Sequence, residues 1–371
     1  MGRRIAGSIQ RTTLLLTNWG TVGKIADVLT EPAKSQLTSN RESEVEARAS
    51  ARKLAVLVPC LDEENTVAEV VTGVPRDIPG IETVEVVVID DGSLDATAER
   101  ARLAGARVMR HPENLGLGMT FRDGVETALA LGADVVVNID GDGQFDPADI
   151  SKLVQPILTG EAHMVTASRF LDRSLVPKMP WIKRWGNRWV ARVVRILTGK
   201  RFTDVSCGFR AFSREALLQM NLFGGFTYTQ ETFLDLVFKD LRIREVALAV
   251  RGEREFGHSK IASNLLRYAL RSLQIMLRAF ISYRPFRFFA TLALGFLAAG
   301  LSLLGFLLHH YLTTGAFSPH IWAGFVGGSF GFLGLLTLVI GLVGDMLVRI
   351  RMNQERMLYH MRRNRYRRDS A

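Results

Sequence analysis

Asp140 and Asp142 stand two residues apart in Asn138-Ile139-Asp140-Gly141-Asp142-Gly143-Gln144, directly after the apolar run Val135–Val137. Two carboxylates on an open, glycine-containing turn can share one hard cation. Mg2+ or Mn2+ fits such a site, because these ions are held by one or two carboxylates and completed by substrate phosphates. A diphosphate leaving group is the substrate feature this implies. Two other readings use the same residues. One is an acidic loop that simply faces water. The other is a calcium loop, against which the ladder Asp140, Asp142, Gln144, Asp146 puts Ser151 at the position of the bidentate glutamate.

Positioning such a turn requires a strand, and the surrounding pattern supplies several. Apolar runs at Leu54–Val58, Val84–Ile89, Ala106–Met109, Val135–Ile139 and Met164–Ala167 alternate with helical stretches near Thr66–Thr72, Ala96–Ala104 and Met119–Leu131. A further helix is expected after Asp146, with Asp146 as its cap and Pro147 at its first position. Alternation of this kind predicts an α/β domain with a mostly parallel sheet covered on both faces. Ligands of such sheets bind beyond the carboxyl ends of the strands. Three acidic groups fall at those ends: Asp62-Glu63-Glu64, Asp90-Asp91 and Asp140/Asp142. Their recurrence on one rim favours the metal–diphosphate reading.

The 371 residues carry a net charge of +10, which points to an anionic partner. The arginines gather around apolar segments, so a membrane surface is favoured over nucleic acid, for which no motif or aromatic–basic platform is present. Phe288–Leu308 and Ile321–Gly344 contain no charged residue and are long enough to cross a bilayer core. The connection His309–His320 lacks lysine and arginine. Arg284 and Arg287 precede the first run, and Arg349, Arg351, Arg356, Arg362, Arg363, Arg365, Arg367 and Arg368 follow the second. The positive-inside rule then predicts a cell-membrane protein with two spans, its catalytic domain and both termini cytoplasmic. Cys60 and Cys207 do not make a disulfide framework. In the second run, the pairs Gly324/Gly328 and Gly327/Gly331 allow close helix approach, within the hairpin or between protomers of a homo-oligomer. In Ser263–Phe280, Leu266, Leu270, Leu273 and Leu277 line one face and Arg267, Arg271 and Arg278 another, as in a helix lying in the membrane interface.

The acidic loops resemble those of the family-two nucleotide-sugar glycosyltransferases, in particular polyprenyl-phosphate hexosyltransferases of the dolichol-phosphate mannose synthase and bacterial polyprenyl-phosphate glucosyltransferase types. Pro59-Cys60-Leu61-Asp62-Glu63-Glu64-Asn65 is similar to the family's Pro-Ala-Tyr-Asn-Glu-Glu-Asn, with Leu61 in place of the aromatic that flanks the base. Ile89-Asp90-Asp91-Gly92-Ser93 matches its Val-Asp-Asp-Gly-Ser, and Asn114-Leu115-Gly116-Leu117-Gly118 its next motif. The metal turn corresponds to Asp-x-Asp. Ala167-Ser168-Arg169-Phe170, Ser206-Cys207-Gly208-Phe209-Arg210-Ala211-Phe212 and Arg254-Glu255-Phe256-Gly257-His258-Ser259-Lys260 follow in the family's order. The resemblance implies a GT-A-type domain over residues 51–262. Before it comes an extension, 1–50. After it come an interfacial helix (263–286), two transmembrane helices (287–348) and a basic tail (349–371). It also implies donor binding by Pro59, Leu61, Glu63, Ile89, Asp91, Asp140, Gly141, Asp142, Gln144, Arg169 and Arg254, with Asp140, Asp142 and Gln144 on the metal. Arg169, Arg254 and Lys260 would act on phosphates, and Lys183 and Arg184 with Arg254 and Lys260 on the acceptor phosphate.

An expected activity follows: transfer of a hexose, mannose or glucose, from GDP-mannose or UDP-glucose to polyprenyl phosphate, with inversion. Two alternatives stand beside it. A processive polysaccharide synthase would carry Gln-x-x-Arg-Trp, whereas here Trp181 occupies the glutamine position before Arg184-Trp185. A catalytically silent membrane scaffold would have no use for the aspartate pair. For Arg169 and Arg254 the alternative to phosphate binding is an internal ion pair.

Overall fold

The computed structural model describes residues 52–177, 179, 181–221, 228–251, 274, 277, 278 and 280–367, without the side chains of residues 182 and 183. The elements below belong to the second of the chain's two units, Lys53–Ala371. The interfacial helix expected at 263–286, the extension 1–50, and Arg254 and Lys260 lie wholly or largely outside the described residues.

The apolar runs form strands β1 (Lys53–Cys60), β2 (Thr83–Asp90), β3 (Arg107–Arg110), β4 (Val135–Asn138) and β5 (Met164–Ser168). Two more, β6 (Arg210–Ser213) and β7 (Ile243–Ala247), complete a seven-stranded sheet of order β3-β2-β1-β4-β6-β5-β7. All pairings are parallel except those of β6, which runs antiparallel between β4 and β5. Its insertion sets Asn138 opposite Arg210 at the rim.

Both sheet faces are covered, which explains the uninterrupted apolar character of β1. Leu54, Val56 and Val58 face a core completed by α1 (Val67–Gly73) and α4 (Ile150–Leu158). Ala55 and Leu57 face the opposite core, with α3 (Leu117–Ala130), α6 (Arg214–Gln219) and α7 (Thr229–Phe238). The short α2 (Thr97–Leu103) follows the β2 loop. The expected helix start is present: Asp146 accepts a hydrogen bond from Ala148 N at 2.9 Å, and a 3-10 turn, Pro147–Asp149, leads into α4. Pro59 sits in the central strand without breaking it. Ile139 N donates to Leu57 O, so residues 57 and 59 face β4, whose ladder ends at Asn138.

Helix α5 (Trp181–Thr198) follows the loop after β5. The two apolar runs form α8 (Pro285–Thr314) and α9 (Ile321–Arg365), each long and apolar enough to cross a membrane, with most of their surface exposed. They pack tightly against each other. A methyl at Gly300 would lie 2.8 Å from Gly327 O, and one at Gly334 2.7 Å from Leu297 Cγ. Gly327, Gly334 and Gly341 recur every seven residues on the face toward α8. Of the pairs expected from sequence, Gly324 and Gly327 lie on this face. Gly328 and Gly331 have open space beside them.

The polar end of α9 returns to the α/β domain. Arg362 donates to Met220 O (2.6 Å), Tyr359 donates to Glu215 (3.2 Å), and Arg214 reaches Tyr366 O. Tyr283 just before α8, Asp235 and Lys239 of α7, and Arg351 and Glu355 of α9 form one polar cluster. Arg351 donates to Tyr283 Oη at 3.0 Å and pairs with Glu355 at 2.7 Å, and Lys239 pairs with Asp235 at 2.9 Å.

Candidate active site

The three acidic loops emerge side by side because the strands beneath them are in register: Pro59 pairs with Ile89, and Cys60 with Asp90. Each loop is tied to its neighbour through backbone N–H groups. Asp62 N donates to Ser93 Oγ (2.9 Å), Glu63 N to Thr97 Oγ1 (2.8 Å), and Leu94 N to Asp62 Oδ1 (2.9 Å). Asp62 adopts a left-handed φ of 53° to do this, a conformation aspartate tolerates better than most residues. Thr66 Oγ1 donates to Gly141 O at 2.6 Å, which joins the β1 loop to the metal turn. Gly141 has no room for a side chain, since a Cβ would lie 2.5 Å from Cys60 Sγ.

Cys60 reports the electrostatics of the rim. Burial pushes its thiol well up, and the charges of Glu63, Asp90, Asp140 and Asp142 push it further. Carboxylates from all three loops therefore act on one point. Asp142 is 3% exposed, and its Oδ1 accepts from Gln144 N at 3.1 Å. Asp140 lies over Gly208, where a Cβ would sit 3.0 Å from Asp140 Oδ2. Beneath it Asn138 Nδ2 donates to Tyr228 Oη (2.6 Å), and Tyr228 donates to Gly208 O (3.2 Å). Burial and then the charge of Asp140 hold the Tyr228 phenol protonated well above its usual range. Tyr228 stacks on Phe121 with ring centroids 3.9 Å apart.

These residues suit a divalent ion. Asp140 and Asp142 offer hard carboxylate oxygens from one short turn, the donor type such ions take. Among the described residues no three His, Cys, Asp or Glu side chains form a complete metal cage. A pair of carboxylates that leaves coordination positions to a diphosphate matches the habit of Mg2+ and Mn2+.

The other expected site residues divide into two groups. Pro59 and Ile89 are strand residues whose backbone borders the rim. Leu61 and Glu63 are half-buried in the first loop. Asp91 is turned inward: its oxygens accept from Leu115 N and Gly116 N (both 2.9 Å), and His111 Nδ1 lies 2.8 Å away. Its carboxylate organises the Asn114–Gly118 loop, while Asp90 is the member of the pair whose charge acts on Cys60. Arg110 Nε lies 3.1 Å from Asp90 Oδ2 as an ion pair, although that oxygen accepts no hydrogen bond. Gln144 Nε2 donates to Arg251 O at 3.4 Å, and Arg251 N to Gln144 O at 3.1 Å, so the chain leading to Arg254 starts from the metal turn. Arg169 makes a bidentate pair with buried Asp204, at 2.6 and 3.0 Å, the internal ion pair weighed above as its alternative role. Arg184 is exposed on α5; the side chain of Lys183, like Arg254 and Lys260, is outside the described residues.

Asn138, Gly208 and Arg210 stand inside segments singled out from the sequence, but no role was assigned to them or to Tyr228. An asparagine at the end of an apolar strand was the available signal for the first. Arg210 is fully buried; it donates to Thr229 O (2.6 Å), Thr232 Oγ1 (2.7 Å) and Val205 O (2.9 Å), and so fixes the start of α7 under the rim. The larger described cavity, about 680 Å³ between α3 and the end of α9, is lined by Met109, Glu126 and Arg365 among others and shares no residue with the acidic loops.

The seven-stranded sheet with antiparallel β6 and an acidic rim at β1, β2 and β4 defines a GT-A-like α/β domain. Residues 55–220 match the model of Glycosyl transferase family 2, and the chain belongs to that family. It is 30% identical over 179 residues (44% of this chain, 70% of the relative) to UDP-N-acetylglucosamine–dolichyl-phosphate N-acetylglucosaminyltransferase of Methanococcus voltae. It is 28% identical over 239 residues (62% and 88%) to polyprenol monophosphomannose synthase of Mycolicibacterium smegmatis. Of two relatives at 35% and 34% identity, from Methanocaldococcus jannaschii and Haloferax volcanii, the match spans 66% and 53% of the length. Among solved structures, glucosyl-3-phosphoglycerate synthase of Mycobacterium tuberculosis, in complex with Mn2+, UDP and glucosyl-3-phosphoglycerate, superimposes with a TM-score of 0.51 at 26% identity, covering 64% of this chain and 83% of that one.

Proposed function

We propose that the protein is an inverting hexosyltransferase that moves mannose or glucose from GDP-mannose or UDP-glucose to polyprenyl phosphate, working at the cytoplasmic face of the cell membrane with both termini on that side. The observation that carries this reading is the joining of the three acidic loops at one sheet edge, by Asp62 N to Ser93 Oγ and Thr66 Oγ1 to Gly141 O, in a chain that also carries a two-helix apolar hairpin. The names of relatives that act on polyprenyl and dolichyl phosphates support the acceptor class.

Asp140 and Asp142 would hold the divalent ion, with Gln144 beside them. Mg2+ or Mn2+ bound there neutralises charge on the leaving diphosphate. The chain's own residues do the rest. Gly208 leaves room for the Asp140 carboxylate, Gly141 lets the metal turn close onto Cys60, and Asn138 and Tyr228 hold the floor beneath them. Glu63 and the backbone at Pro59 and Ile89 border the nucleotide end. Arg254 and Lys260 supply positive charge for two anions brought together. A phosphate monoester has its second pKa near 6, so the acceptor is already an anionic nucleophile at neutral pH and needs no general base. Direct displacement inverts the anomeric centre.

Purified protein is to be incubated with a panel of labelled nucleotide sugars, a short polyprenyl phosphate, and Mg2+, Mn2+ or chelator. One donor is expected to yield a metal-dependent, organic-soluble, β-linked product. Label that passes only into polymer or free sugar would overturn the reading.

A further inference from the structure

Helix α5 carries two exposed stripes that the proposed transfer reaction does not require. Trp181, Trp185 and Trp189 recur every four residues and are 76%, 60% and 38% exposed, with Ile196 at 74%. Arg184, Arg188, Arg192 and Arg195 are exposed beside them. At about 100° per residue both sets fall on the outward half of the helix, with Arg192 among the tryptophans and the other three arginines along the adjoining flank. The inward half is fixed to the domain. Ala191 and Val194 are buried, and Asn187 donates to Thr203 O (3.0 Å) and accepts from Ser206 Oγ (2.6 Å). The outward half is therefore a settled surface, and rotation of the helix would not hide it.

No acidic residue occurs between Trp181 and Thr198, and among the described residues none of the four arginines has an ion-pair partner. A row of indoles beside a row of guanidinium groups matches the bilayer interface. Tryptophan partitions to headgroup depth, and arginine binds phosphate through paired N–H groups. The neighbourhood also fits. Just past α5, Lys200 pairs with Asp240 at the end of α7 (3.9 Å), and Phe202 packs edge-on against Phe233 of α7 (4.4 Å). At that same end of α7, Phe238 stacks on Tyr283 (4.6 Å), two residues before α8 begins. The C-terminal end of α5 is thus linked through α7 to the start of α8.

We propose that α5 is a second membrane contact, seating its Trp/Arg face among anionic lipid headgroups beside the hairpin. Because β5 leads through Arg169 into the loop before α5, this contact would bring the acceptor side of the rim to the bilayer surface.

The test is independent of sugar transfer. Cys60 and Cys207 are buried, so Trp185→Cys in the full chain can be spin-labelled selectively, with Leu103→Cys on α2 as an exposed reference. In vesicles containing phosphatidylglycerol, the label at 185 is expected to be several-fold less accessible to a water-soluble nickel chelate than the label at 103, and more accessible to oxygen. Arg188→Gln/Arg192→Gln/Arg195→Gln, or vesicles of phosphatidylcholine alone, should reduce that protection several-fold. Equal accessibility at both positions would overturn the proposal. So would dipolar broadening between labels at 185, which would assign the face to a second copy of the chain. Loss of hexose transfer with protection intact would count against the proposed function and leave the membrane contact standing.

Discussion

The acidic rim and the flank formed by α5, α7 and the hairpin handle charge in opposite ways. At the rim, carboxylates are held by backbone N–H groups, from neighbouring loops at Asp62 and Asp91 and from its own turn at Asp142. On the flank, arginines on α5 face outward, while the charged groups near the hairpin, Lys239, Arg351 and Glu355, are paired in a half-buried cluster. The first arrangement suits a small cation and its diphosphate, the second a surface of phosphates. One domain thus presents a negative site to one end of a reaction and a positive face to the other.

Substitutions can break this contrast at several strengths. Asp142→Asn removes half of the rim's metal-binding charge and is expected to lower kcat for hexose transfer about 10³-fold, read from turnover at saturating donor with unchanged circular dichroism. Arg210→Met leaves the carbonyls of Thr229 and Val205 without their buried donor. It should cost about 3 kcal/mol of stability, measurable as a large fall in Tm in detergent. Gly327→Leu forces α8 and α9 apart and should cost about 2 kcal/mol, whereas Gly328→Leu, facing open space, should leave Tm unchanged.

The weakest effect concerns pH. Burial raises the Asp235 carboxyl despite the opposing charge of Lys239. A carboxyl whose folded pKa lies above its unfolded value adds stability below the unfolded pKa, and that stability is lost as pH rises through the folded one. Tm of the unaltered protein minus that of Asp235→Asn should therefore grow as pH falls from neutral through the carboxylate range. A constant difference would remove the linkage.

The rim was the more legible of the two regions. Long apolar runs ending in acidic turns identify parallel strands and their ligand edge, and β1 to β5 lie where those runs place them. β6 was not legible: it has four residues, begins with a buried arginine, and is defined by partners far away in sequence, Asn138 among them. The same holds for Arg169, whose motif suggests phosphate while its contact is Asp204, 35 residues on. In the hairpin, hydrophobicity identifies two spans, but the contact face follows a seven-residue glycine spacing. The GxxxG pairs proved the weaker guide, because they mix inward and outward positions.

One further property follows from the continuity of α9. At 1.5 Å per residue its 45 residues reach about 68 Å, and the part beyond Asp345 extends about 30 Å past the apolar stretch. Arg362 and Tyr359 fasten that part to the rear of the domain. With the hairpin crossing the membrane as proposed, the length of this helix would set how high the acidic rim rides above the lipid. A single inserted residue after Arg349 would turn the far end by about 100°, taking Arg362 away from Met220 and tilting the whole catalytic body.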